Sequence, residues 1–294
     1  MHDDHFAGCA FGFEQVEYRR ERWDTPDGDF IDLDWAGREA NPGGPLLAVF
    51  HGLEGSSASP YARSIAARAL AQGWRCVVPH FRGCSGELNR LPRAYHSGDS
   101  AELDWILRRL EVRHAVGISL GGNALLKLLG EKGAAMQLDK AVAISAPLDL
   151  TAAGRSLDSG LSRELYTRTF LRTLKRKTFE KIRLKTISVD ALRLKRARTF
   201  WEFDDTVTAP LHGFLGAEDY WRRSSSAPWL AAIRVPTLVL NARNDPFLPE
   251  AALEAIGRVP PNVVLEFPRS GGHAGFPGRS GWLARRVLDF LSAP

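Results

Sequence analysis

Ser119 lies in Gly117-Ile118-Ser119-Leu120-Gly121, between an apolar run and a helix-like run. This is the pattern of a nucleophile elbow, in which a serine sits on a sharp strand-to-helix turn with its oxygen exposed. A serine hydroxyl is a weak nucleophile near neutral pH, so it needs a base within hydrogen-bond reach and donors for the developing oxyanion. Gly117 and Gly121 lack side chains and let strand and helix approach at the bend. The N–H of Leu120 would then sit at a helix N-terminus, where a negative charge is favoured.

The other parts of such a site follow in order. Leu46-Leu47-Ala48-Val49-Phe50 is a strand candidate that runs into His51-Gly52-Leu53-Glu54-Gly55. Glycines on both sides of Leu53 allow its N–H to face the serine as a second oxyanion donor, while His51 itself reads as a structural loop residue. Past the strand Thr237–Asn241 comes Asp245, with Pro246 stiffening the turn. Past the strand Val263–Phe267 comes His273, on a loop among glycines. The order serine, acid, histidine is the one expected of this elbow. Asp149, past the strand Ala141–Ser145, is the rival acid, and either aspartate could instead cap a helix or shape a turn. Ser85 lacks the glycine frame and reads as a turn that shapes the pocket. The N-terminal His2-Asp3-Asp4-His5 looks like a metal tract but reads as a solvated terminus. The site calls for no metal and no cofactor.

These residues need a rigid frame. Residues 14–36 read as two antiparallel strands with a turn at Thr25-Pro26-Asp27-Gly28; alternation of apolar and polar residues makes the second strand half-exposed. From residue 46 short apolar runs alternate with helices such as Ala62–Gln72 and Ser100–Leu110, the signature of a parallel sheet with helices on both faces. The rhythm breaks near residue 151 and resumes near 234. Residues 151–233 therefore read as a helical cap inserted after the sixth strand of a single domain spanning residues 1–294. Phe200, Trp201, Phe203, Phe214, Tyr220 and Trp221 either line an acyl pocket beneath it or glue it to the body.

Several motifs together resemble the YheT-like branch of the α/β-hydrolases. They are His51–Ser56, Phe81–Gly86, Tyr95-His96-Ser97-Gly98-Asp99, Gly117–Asn123, Phe203-Asp204-Asp205, Ala209-Pro210 with Gly213-Phe214, and Asn244-Asp245-Pro246. They span about residues 45–280 and are more specific than the elbow alone. The resemblance implies an α/β-hydrolase fold, a Ser119–Asp245–His273 triad, a helical cap and hydrolysis of small-molecule or lipid esters. Medium-chain acyl esters and acyl transfer to alcohols are associated with the branch.

Bulk properties bound the alternatives. A chain of 294 residues with 44% hydrophobic residues can bury a full core. No run is long enough to span a bilayer, and no cationic region precedes an apolar stretch at the N-terminus. Three cysteines, Cys9, Cys76 and Cys84, read as reduced thiols, so a cytoplasmic location is expected. The net charge of +5 is local, since residues 161–200 carry 13 Lys or Arg against 3 Asp or Glu. General nucleic-acid binding is therefore not expected. The stretch Arg172–Arg183 reads as a solvated helix face or as a patch for peripheral contact with anionic membrane. A non-catalytic, ligand-binding scaffold remains the reading from another functional class.

Overall fold

The computed structural model describes residues 16–37, 41–276 and 281–293. The N-terminal histidine–aspartate tract and Cys9 lie outside these residues. Eight strands form one sheet: β1 Arg19–Asp24, β2 Phe30–Ala36, β3 Leu46–Phe50, β4 Arg75–Pro79, β5 His114–Ile118, β6 Lys140–Ile144, β7 Thr237–Leu240 and β8 Val263–Glu266. Their spatial order is β1-β2-β4-β3-β5-β6-β7-β8. Only β1–β2 and β2–β4 pair antiparallel; the remaining pairs are parallel.

The central strands read as unbroken apolar runs because both faces of the sheet are covered. Successive side chains go to opposite sides: Leu47 and Val49 join one core, Ala48 and Phe50 the other. Helices α1 (Pro60–Ala71) and α7 (Trp282–Ser292) cover the first face, through Ile65, Val287 and Leu288. Helices α2 (Ser100–Leu110) and α3 (Leu120–Lys132) cover the second, through Leu103, Ile106 and Leu125.

One expectation is overturned at β2. Its alternation suggested a half-exposed strand, yet all seven residues are buried, Asp32 and Asp34 included. The polar face is covered by partners rather than by water. Arg22 forks onto Asp32 at 2.7 and 2.9 Å, and Ser85 Oγ donates to the same carboxylate at 2.6 Å. Asp34 accepts from Arg20, from Ser57 and from His80 Nε2, and its pKa is held well below the usual carboxylate range by these hydrogen bonds despite burial. Ser85 thus acts as a brace for β2.

Between β6 and β7 the chain is helical. It contains α4 (Leu150–Leu157), α5 (Arg168–Arg183) and α6 (Ala217–Ser224), with shorter turns among them. Arg163–Thr167 and Asp204–Thr208 adopt π-helical turns, a feature common near functional sites. Leu150, Leu171, Leu194, Phe200, Phe203, Tyr220 and Trp221 give this insertion a small core of its own. No helix among the described residues is long and apolar enough to cross a membrane.

The basic stretch 172–183 is divided by the fold. Lys175 donates to the carbonyls of Lys195 and Ala197, and Lys181 to those of Leu91 and Arg93. Lys177 pairs with Glu54, and Arg183 with Glu180. Arg172 and Arg176 remain on the exposed side.

Candidate active site

Every sequence-predicted site residue lies at a carboxyl end of the sheet, where open α/β sheets place their sites. Ser119 follows β5 directly and has φ +51° and ψ −117°, a strained conformation for a residue with a side chain. Three features hold the strain. The Ser119 N–H donates to the Ile144 carbonyl at 2.8 Å, and its own carbonyl accepts from Asn123 N–H at 3.0 Å. The flanking glycines allow the bend: a Cβ on Gly121 would sit 2.6 Å from the carbonyl oxygens of Phe50 and His51, and one on Gly117 would sit 2.5 Å from the Gly121 carbonyl.

His273 Nε2 lies 2.9 Å from Ser119 Oγ, and its Nδ1 lies 3.1 and 3.0 Å from the two Asp245 oxygens. A carboxylate only accepts, so Nδ1 carries the proton and Nε2 is left to accept from the serine. The Asp245 side chain is buried, and its Oδ1 also accepts from Phe247 N–H at 2.8 Å. The Phe247 ring stacks on the imidazole, with centroids 3.8 Å apart and planes 21° apart. The histidine loop is fixed by side chains from neighbouring strand ends. Asn244 Oδ1 accepts from Gly271 and Gly272 N–H, and Ser145 Oγ accepts from Ala274 N–H at 3.0 Å.

Asp149 is not part of this cluster. It is the N-cap of α4, accepting from Thr151 and Ala152 N–H at 2.8 and 3.1 Å. His51 is fully buried and structural: Nε2 accepts from Phe81 N–H at 3.1 Å, and Nδ1 donates to the Gly52 carbonyl at 2.7 Å. Burial pushes its pKa down to about 3. His212, in the insertion, packs against His96 from the segment before α2, with ring centroids 4.5 Å apart.

Two amides remain for an oxyanion. Leu120 opens α3, so its N–H has no intrahelical carbonyl to bond. In the loop after β3, Gly52 N–H donates to the Tyr61 hydroxyl at 3.0 Å and Glu54 N–H to the Tyr95 hydroxyl at 2.9 Å. Gly55 N–H donates to the Gly52 carbonyl. The Leu53 N–H between them has no acceptor among the described residues, and Leu53, Ser119 and Leu120 all line one cavity of about 160 Å³.

The walls of that cavity come from the insertion as much as from the sheet. Phe200, Phe203, Tyr220 and Trp221 line it while also packing the insertion core, whereas Trp201 and Phe214 do not line it. Phe247, Tyr61, Tyr95 and Ser145 were not foreseen from sequence. Phe247 adjoins Asp245-Pro246 and could have been noted; Tyr95 opens one of the motifs that carry the resemblance, whereas Tyr61 belongs to none.

The sequence profile of the alpha/beta hydrolase fold family matches residues 45–279. The chain is 42% identical over 286 residues to YheT of Escherichia coli (strain K12), covering 92% of this chain and 84% of that one. It is 29% identical to phospholipase ABHD3 of Homo sapiens, covering 95% of this chain and 72% of the relative. An esterase from Exiguobacterium antarcticum has the same fold, with TM-score 0.60 at 14% identity, covering 92% of this chain and 99% of its own. The chain therefore belongs to the α/β-hydrolase fold family, and within it to the branch that contains YheT.

Proposed function

We propose that the protein is a serine hydrolase of carboxylic esters that works through an acyl-enzyme. The observation that carries this reading is the hydrogen-bonded line from Ser119 Oγ through His273 to Asp245, at 2.9 and 3.0 Å. Ser119 Oγ attacks the ester carbonyl carbon as its proton passes to His273 Nε2. Asp245 keeps the imidazole in the required tautomer and supports the imidazolium. The Leu53 and Leu120 amides hold the oxyanion. Collapse of the tetrahedral species breaks the ester C–O bond, and the leaving alcohol takes the proton from His273. Water then attacks the acyl-enzyme with the same proton relay, releasing the acid and restoring Ser119.

The acyl chain occupies the apolar part of the cavity beneath the insertion, which has room for short- to medium-chain groups. Hydrolysis and transfer of the acyl group to another alcohol use the same intermediate. The test is labelling by a fluorophosphonate probe together with turnover of p-nitrophenyl esters of graded length. Wild-type protein labels at Ser119 and turns over esters, while Ser119→Ala does neither. Folded wild type that resists the probe would overturn the reading.

A further inference from the structure

The loop that carries Leu53 is not held by the sheet alone. Glu54, the next residue, has φ +56°, a left-handed conformation that is costly for a side-chain-bearing residue. Its backbone and side chain are both tied to one hydroxyl: Tyr95 OH accepts from Glu54 N–H at 2.9 Å and donates to Glu54 Oε1 at 2.8 Å. Tyr95 is itself fixed, stacked on Phe81 with centroids 5.4 Å apart and planes 8° apart. The third tie comes from the insertion. Lys177, on α5, donates to the same Glu54 Oε1 at 2.8 Å. The two side chains are 25% and 10% exposed, so this is a largely desolvated pair at the rim of the cavity.

We infer that Lys177 is a positioning residue for catalysis, acting through Glu54 to hold the Leu53 amide where the oxyanion forms. The inference rests on the ester-hydrolase reading above and adds a coupling to it. The insertion is part of the catalytic apparatus as well as the roof of the pocket. With α5 seated, the Glu54 carboxylate has its cation and the strained loop conformation is over-determined. Without Lys177, a carboxylate that is nine-tenths buried keeps only the tyrosine, and the loop relaxes toward conformations that give Glu54 water. A donor displaced by about 1 Å loses much of its value in the transition state while leaving ground-state binding almost unchanged.

The experiment measures kcat and KM for p-nitrophenyl butyrate in wild type, Lys177→Met, Lys177→Arg, Glu54→Gln and the Glu54→Gln/Lys177→Met double variant. Binding of a trifluoromethyl ketone, which forms a charged tetrahedral adduct with the serine, is measured alongside. Lys177→Met lowers kcat by roughly tenfold or more, less than the ~10²–10³-fold of losing an oxyanion donor outright. KM stays within about twofold, and ketone binding weakens in parallel with kcat. Lys177→Arg restores most of the rate, because a guanidinium also reaches the carboxylate. The double variant is no slower than Glu54→Gln alone, since the lysine has nothing left to act through. Unchanged kcat in Lys177→Met, a change confined to KM, or losses that multiply in the double variant would each overturn the inference and leave the hydrolase reading standing. Wild-type protein that forms no serine adduct with the ketone would take down both.

Discussion

The strand-end loops and the helical insertion meet at one cavity but are built by different rules. The loops of Ser119 and Asp245 follow strands buried on both faces, and the loops that carry Ser119, Asp245 and His273 are fixed by backbone hydrogen bonds and by atoms of the neighbouring strand ends. Strain is stored there, at Ser119 with φ +51° and Ser145 with φ +49°. The insertion has a small core of aromatic and aliphatic side chains, two π-helical turns, and large apolar residues facing outward, such as Leu161 at 80% and Leu215 at 96% exposure. Its ties to the body are individual side chains, Lys177 and Lys181 among them. A frame that tolerates strain is suited to reactive groups. A roof tied to the body by individual side chains is suited to defining what enters the cavity, and away from the Lys177 tie it can vary without disturbing the frame.

That contrast is tested most severely at the frame. Ser119→Ala should cost on the order of 10⁶-fold in kcat if the serine is the nucleophile, with little change in melting temperature, because the residual rate comes from binding and the oxyanion donors. Asp245→Asn should cost about 10⁴-fold, since an amide no longer holds the His273 tautomer. Asp149→Ala is the control between the two regions. It removes an N-cap from α4 and should lower stability by about 1 kcal/mol while leaving kcat within about twofold. A large kcat loss in Asp149→Ala with Asp245→Asn unaffected would exchange the two aspartates and break the assignment.

The same division explains what could be read from the sequence. The frame was legible because it uses local rules: apolar runs for strands, glycines where a Cβ would strike the Phe50 and His51 carbonyls, and candidate site residues on the loops that follow strands. The burial of Asp32 and Asp34 was not legible, because their partners Arg20, Arg22, Ser57, His80 and Ser85 come from other strands and loops. The insertion could be seen as helical, but its inner surface could not. Which of six aromatics reach the cavity depends on how α6 and the short turn Phe200–Phe203 pack, and Trp201 and Trp221 meet edge to face with only Trp221 at the cavity. Tyr95 lies in an irregular segment with no period to read.

On the roof, substitutions away from Lys177 should alter selection and spare the chemistry. Ala153 lies on α4, is buried and lines the cavity. Ala153→Phe places a benzyl group into a space of about 160 Å³. Turnover of p-nitrophenyl acetate should stay within a few-fold, while that of the octanoate should fall by roughly 10–200-fold, the range that steric discrimination in an apolar pocket supplies. Equal losses for both esters would mean that the acyl chain does not run beneath α4.

The smallest expected effect lies within the roof and concerns its own stability. Asp204 is buried in the second π-helical turn, accepting from Trp221 Nε1 at 2.8 Å and Thr208 Oγ1 at 2.6 Å. Burial raises its pKa from 3.8 to about 7, and the nearby Asp158 adds to the rise. Between those values the folded protein holds a proton that the unfolded chain has released. The contribution of Asp204 to stability therefore declines as pH rises from about 4 to about 7, and above that it stays at its lower level. Asp204→Asn keeps an acceptor for Trp221 and cannot ionise. The difference in melting temperature, variant minus wild type, should grow in favour of the variant by a few °C between pH 5 and pH 8. Taking the difference removes the parallel contribution of Glu102, whose burial likewise raises its pKa to about 7. A difference that is flat with pH would mean that Asp204 is already ionised at pH 5, its charge carried by the Trp221 and Thr208 hydrogen bonds, so that the roof too stores a charge in its interior as the frame does at Asp32 and Asp34.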